Sequence, residues 1–220
     1  MKNEVLNIVT TTQPTPKDKL LAEAFTLLRD SALFMIIATL LVGIGIMSSF
    51  FIILGTTIAI PAPMHGPMPF IGLGITAIIL VIAISIAGAV LTLYAIFGKL
   101  IPSSTKFKEY DPDFSASESL IKIGLVVGII LYIIGIVTLL IVIGIFILII
   151  AYIFLLIGYI GLAILCFKIN SKFNSTIFLV AGILFIISIF IPIIGFVAWI
   201  LVYAEAGTLR EKALSGALIA

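Results

Sequence analysis

Forty-five consecutive residues, Ile123 to Phe167, carry no charged side chain. As a single helix this stretch would be about 67 Å long, more than twice the roughly 30 Å hydrocarbon thickness of a bilayer. It has to fold back on itself, and the natural break is near Gly144, although no Pro, Asn or Asp marks a turn there. The rest of the composition agrees: hydrophobic residues make up 63% of the chain, charged residues 10%, and the mean hydropathy is +1.42. A soluble domain carries about 25% charged residues. This chain cannot cover a water-facing surface, so the expected fold is all-α, a polytopic helical bundle with lipid as its solvent.

The remaining segments are placed by the same length argument. Residues 1–14 read as a flexible polar tail, and no apolar run follows within the distance of a cleaved secretory signal. Thr15 can cap a helix, Pro16 suits its first position, and Asp18 falls in its first turn. Leu20, Leu21, Ala24, Phe25 and Leu28 then recur at helical spacing opposite Lys19, Glu23 and Arg29, an amphipathic helix that either lies on the membrane surface or runs on into the first span. Uncharged runs place spans at about 31–60 and 70–98, separated by the proline-rich segment PAPMHGPMP. Lys99 to Ser119 reads as a hydrophilic loop, closed by a capping box at Ser115 and Glu118. Spans at about 120–143, 145–167 and 176–204 follow, so that residues 15–220 form one domain with five crossings. Asn174 or Ser175 can cap the last span. Pro192 and Gly195 predict a kink in it, since proline removes a backbone hydrogen bond, with a half-crossing as the alternative. Trp199 and Tyr203 suit an interfacial aromatic belt.

With the amino terminus inside, five crossings put ten basic residues on the cytoplasmic side and only Arg210 and Lys212 outside, where the carboxyl terminus would lie. The positive-inside rule favours that orientation. Net charge is only +2, which offers no broad basic field for nucleic acid, and the single cysteine, Cys166, excludes an internal disulfide and reads as a small packing residue.

Chemistry at depth in a membrane usually needs ionisable groups there. The expected span cores contain no Asp, Glu, Lys, Arg or His. That pattern argues against a proton relay, a carboxylate-coupled transporter, an intramembrane aspartyl protease and a voltage sensor, and the chain reads as neither an enzyme nor a cofactor protein. The soft ligands Met64, His65 and Met68 suit Cu(I) by type, but a proline-braced loop explains them. Glu109, Asp111 and Asp113 offer oxygen ligands, but a solvated turn around Pro112 explains those. Glu205 reads as an interfacial carboxylate. Thr56, Thr57 and Ser188 are the residues that would line a solute path.

Small residues do fit a mechanism. Gly124 and Gly128 stand four apart, with Gly135 along the same helical face; Gly158 and Gly161 form a second patch, Ala83 and Ala87 a third. In lipid, such faces let helix backbones approach closely, either within the chain or between subunits.

The segments EAFTLLRDSALFMIIATLL (23–41) and FNSTIFLVAGILFIISIFIPIIGFVAWILVYAE (173–205) resemble an archaeal membrane family known as domain of unknown function 973. The resemblance covers the chain from Leu20 onward and implies a membrane location, in thermoacidophilic archaea, without catalytic residues to carry over. The resulting expectation is a non-catalytic integral membrane protein whose partners are lipids and other membrane proteins or itself, an accessory or structural component of an assembly. A small-solute transporter or channel is the alternative.

Overall fold

The computed structural model describes residues 15–59, 69–139 and 142–217. All regular structure among them is helical: α1 (Pro16–Ala59), α2 (Pro69–Leu93), a π-helical segment (Tyr94–Leu100), α3 (Ile101–Tyr110), a 3₁₀ turn (Pro112–Phe114), α4 (Ser115–Val137), α5 (Ile143–Phe173), α6 (Thr176–Ser188) and α7 (Pro192–Leu214). Five helical stretches are long and apolar enough to cross a membrane. The copper-type loop at Met64, His65 and Met68 lies outside the described residues, as do the side chains of Thr56 and Thr57.

The amphipathic helix expected at the start is no separate element. It is the first part of α1, which runs 44 residues without a break, about 66 Å. Its start is held as the sequence suggests. The Thr15 backbone N–H and hydroxyl both donate to Asp18 Oδ2, and the Asp18 N–H donates back to Thr15 Oγ1. The expected hydrophilic loop is also mostly helix. The chain continues from α2 through the π segment and α3 without turning, and bends only at Asp111. There Asp111 accepts the Asp113 N–H at 2.9 Å and organises the 3₁₀ turn that leads into α4. The capping box expected from Ser115 and Glu118 does not form, because helical backbone already precedes Ser115. Glu118 instead turns toward Lys108.

α1 and the α2–α3 rod pack antiparallel over their lengths. Ser103 Oγ donates to the Ala24 carbonyl at 2.8 Å, Phe34 meets Tyr94 edge-on with 5.1 Å between centroids, and Gly45 faces Ser85. α4 and α5 form a second antiparallel pair. The chain reverses between the end of α4 at Val137 and the start of α5 at Ile143, next to the expected break at Gly144, and Val142 takes a positive φ of 57°. Gly144 is inside the first turn of α5, where a Cβ would sit 2.4 Å from the Leu139 nitrogen. Glycine permits the tight re-entry of the chain rather than forming the turn itself.

The largest departure from expectation is at 176–204. Instead of one kinked span, the chain makes two helices that lie side by side. Ser175 bonds Glu205, Phe185 stacks edge-on with Trp199 at 4.9 Å, and a Cβ on Gly195 would be 3.3 Å from Ser188 Cβ. These pairings run in opposite directions along the sequence, so α6 and α7 are a hairpin with its tip at Ile189–Ile191. Pro192 starts α7 at its first turn, where its missing N–H is tolerated, and so marks a reversal rather than a kink. Asn174, at φ 51°, ends α5 in a left-handed conformation and makes the preceding reversal. With 13 residues, α6 is about 20 Å long, too short for the hydrocarbon layer.

Packing neighbours run in the order α2, α1, α7, α6, α5, α4, and α3 closes onto α4. The helices form a ring at one end of the bundle. At the other end, beyond the hairpin tip, only the two long pairs continue. Because α7 returns to the level of Arg29, the described chain begins and ends at the same end of the bundle.

Candidate functional site

Every Asp, Glu, Lys and Arg among the described residues falls in 17–30, 99–122, 168–172 or 205–212, and the topology brings those four stretches to the same end. Contacts between them tie the ring. Lys99 Nζ meets Asp30 at 2.9 Å, joining the π segment to α1, and Lys106 meets Glu23 at 3.4 Å, joining α3 to α1. Lys108 meets Glu118 at 3.3 Å across α3 and α4, and Lys172 pairs with Asp111. Arg29 stacks over the Tyr203 ring at 4.8 Å and donates to its hydroxyl, joining α1 to α7. Ser175 Oγ donates to Glu205 Oε1 at 2.7 Å. Beneath these pairs lies an aromatic cluster in which Phe25 contacts Phe107, Phe173 and Phe178.

Two of the acidic residues read as possible cation ligands are thus committed elsewhere. Glu109 lies beside Lys106, and Asp111 holds both the 3₁₀ turn and Lys172. No metal-type group of side chains occurs among the described residues. Tyr203 does sit at the polar end. Trp199 does not serve an interfacial belt: it is only 3% exposed and faces inward from α7 onto Phe185. Cys166 is buried in α5.

The small-residue faces divide into two kinds. A Cβ on Gly124 would lie 2.2 Å from the Gly158 nitrogen, one on Gly128 2.9 Å from Leu155 Cγ, and one on Gly135 2.8 Å from Leu148 Cγ. A Cβ on Gly161 would meet the Ile121 nitrogen at 2.7 Å. These five glycines, Gly158 included, all lie in the α4–α5 interface, where a Cβ at any of them would come within 3 Å of the facing helix. Ala83 and Ala87 are exposed instead. The face of α2 that meets α1 is that of Gly88 and Ile84, about 100° around the helix, so the alanines make no close packing with the other described residues. Gly195 is buried against Ser188, whose hydroxyl donates to the Phe185 carbonyl and so lines no path.

Above the polar ring, between the two long pairs, is a cavity of about 430 Å³. Met35 of α1, Leu93 and Ile96 of α2 and the π segment, Ile129 of α4, Tyr159 of α5 and Trp199 of α7 represent its walls. The wall is apolar apart from the tips of Thr92, Tyr132, Tyr159 and Trp199. The hairpin forms its inner wall, and the seam between α2 and α4 leads outward, where Tyr132 is 48% exposed. Sequence reading passes over this site, because apolar residues that face a cavity look the same as those that face lipid. Of the three tyrosines inside the long uncharged run, Tyr132 and Tyr159 line the cavity and Tyr152 does not, so their presence in the sequence does not by itself mark the site.

Five helical stretches apolar and long enough to cross a membrane, with the charge of the described residues gathered at one end, define a multi-pass α-helical membrane protein. Comparison with family models finds a match over residues 22–217 to the family described as protein of unknown function (DUF973), and the chain belongs to that family. Comparisons with curated proteins and with solved structures each found no match.

Proposed function

We propose that this chain is a non-catalytic integral membrane protein that works by contact within the bilayer, as an accessory or structural component of an archaeal membrane assembly. The observation that carries this reading is the division of small-residue faces. Gly124, Gly128, Gly135, Gly158 and Gly161 are used inside the chain, whereas the Ala83–Ala87 face of α2 is left open to a neighbouring helix. Small residues four apart allow close approach of a second helix in lipid. The other polypeptide is either a different membrane protein or a second copy. By the positive-inside rule the charged end, which gathers the basic residues of all four charged stretches, faces the cytoplasm. The test is extraction of the native complex in mild detergent, from cells making wild type or an Ala83→Leu/Ala87→Leu variant. The expected result is a stable assembly for wild type that is lost in the variant while the chain stays folded. A monodisperse single chain from native membranes, in both cases, would refute it.

A second reading, transport of a small solute, is favoured by a specific feature: the chain breaks between α6 and α7, and Trp199 of α7 lines a cavity in the bundle. Broken or partial helices at midplane are the usual site architecture of secondary transporters. Solute flux into liposomes containing the purified protein distinguishes it from the first reading.

A further inference from the structure

We infer that the cavity holds one hydrocarbon chain of an anionic lipid, drawn from the leaflet at the charged end, with its headgroup on Lys122. Three features of the structure lead there, and none depends on the assembly role. The first is access: the walls contributed by α2 and α4 meet the exterior along their seam, so the space opens sideways toward lipid rather than toward water. The second is size. Along α2 and the π segment the lining runs from Ala89 to Leu100, about 16 Å of helix. That is close to the half-thickness of a hydrocarbon layer of roughly 30 Å, the depth one chain occupies in its own leaflet. The volume of about 430 Å³ falls within the 300–1,000 Å³ typical of sites for small apolar molecules.

The third is charge. Lys122 lies on the same face of α4 as Leu125, Ile129, Tyr132 and Ile136, spaced at helical intervals. It stands at the foot of the lined seam, about one turn above Glu118, which pairs with Lys108 of α3. Lys122 itself is exposed and forms no ion pair with the other described residues. Lys99, at the facing level, is already engaged by Asp30. A phosphate at the mouth of the seam therefore finds one uncommitted cation, directly below an apolar slot of the right length.

Trp199 provides the readout. It is the single tryptophan, it lines the cavity, and it is shielded from lipid outside the bundle. The full-length protein is reconstituted in phosphatidylcholine vesicles that contain a minor fraction of phosphatidylglycerol brominated along its chains. Quenching of Trp199 emission is compared with that by brominated phosphatidylcholine. One lysine near the membrane surface is expected to give about fivefold preference for the anionic lipid. Lys122→Gln, at an exposed position, should erase the preference. Ala89→Phe, which fills the slot, should abolish quenching by either lipid while the emission spectrum in unbrominated vesicles stays that of wild type. Equal quenching by the two lipids, or a preference unchanged in Lys122→Gln, would overturn the headgroup assignment. Quenching that persists in Ala89→Phe would overturn occupancy of the cavity, because the bromines would then be acting from outside.

Discussion

Gly124 offers the most direct test of how the long helices are held together. A methyl group at this position would lie 2.2 Å from the Gly158 nitrogen, 2.5 Å from its Cα and 2.8 Å from the Phe154 carbonyl oxygen. All three are backbone atoms, so no side chain can swing aside. Relief requires α4 and α5 to separate by about 1 Å, since ordinary contact begins near 3.4 Å. Separation on that scale also loosens the neighbouring contacts of Gly128 and Gly161 along the same interface. In lipid, where helix association rests on packing rather than on the exclusion of water, little compensates. The expected cost of Gly124→Ala is therefore that of overpacking, about 1–3 kcal/mol. Gly128→Ala meets the Leu155 side chain at 2.9 Å and its backbone nitrogen at 3.0 Å, a milder clash, and its cost should fall at the low end of that range, about 1 kcal/mol. Gly43, in α1, has nothing within 4 Å of its Cβ position, and Gly43→Ala should stabilise by up to about 1 kcal/mol through helix propensity alone. Titration of the purified protein from mild detergent into SDS, followed by circular dichroism and Trp199 emission, ranks the three variants. If Gly124→Ala unfolds no earlier than wild type, the close approach of α4 to α5 is wrong.

Two further outcomes follow from the fold. In a Cys166→Ala background, Ser188→Cys and Gly195→Cys should join in a disulfide on mild oxidation, because a Cβ on Gly195 lies 3.3 Å from that of Ser188, near the separation such bonds need. In a continuous helix these positions would be about 10 Å apart, so failure of the bond to form would restore a single kinked span. At the polar ring, Lys108→Met should destabilise more than Glu118→Gln. Glu118 is buried, with its side chain 6% exposed, whereas Lys108 is 46% exposed. Removing the lysine strands a buried anion, at a cost of about 1–3 kcal/mol, while glutamine leaves no charge to strand. Equal losses in the SDS titration would show that the pair carries no such asymmetry.

Much of this architecture is legible in the order of residues. A chain with 45 uncharged residues in a row has to be helical and surrounded by lipid, because an unpaired backbone group in hydrocarbon costs several kcal/mol. The start of α1 is equally local: Thr15, Pro16 and Asp18 satisfy the first N–H groups whatever the rest of the chain does. The crowding of Gly124, Gly128 and Gly135 on one face reports that some helix comes close, though not which one; only the fold identifies α5. Local signals mislead where distant groups compete for them. Ser115 and Glu118 have the spacing of a cap, but Lys108 takes the carboxylate, and Asp111 has already turned the chain. Trp199 has the place in sequence of an interfacial residue, but Phe185 lies opposite it in the hairpin. Pro192 is compatible with a kink or a reversal, since its local effect is the same loss of one hydrogen bond, and packing of α6 against α5 and of α7 against α1 decides between them. Hydrophobicity along the chain thus determined that the helices form and that lipid surrounds them. The cavity, the meeting of the start of α1 with the end of α7 and the ring of ion pairs were decided by tertiary packing, because each depends on residues far apart in sequence meeting at a common depth.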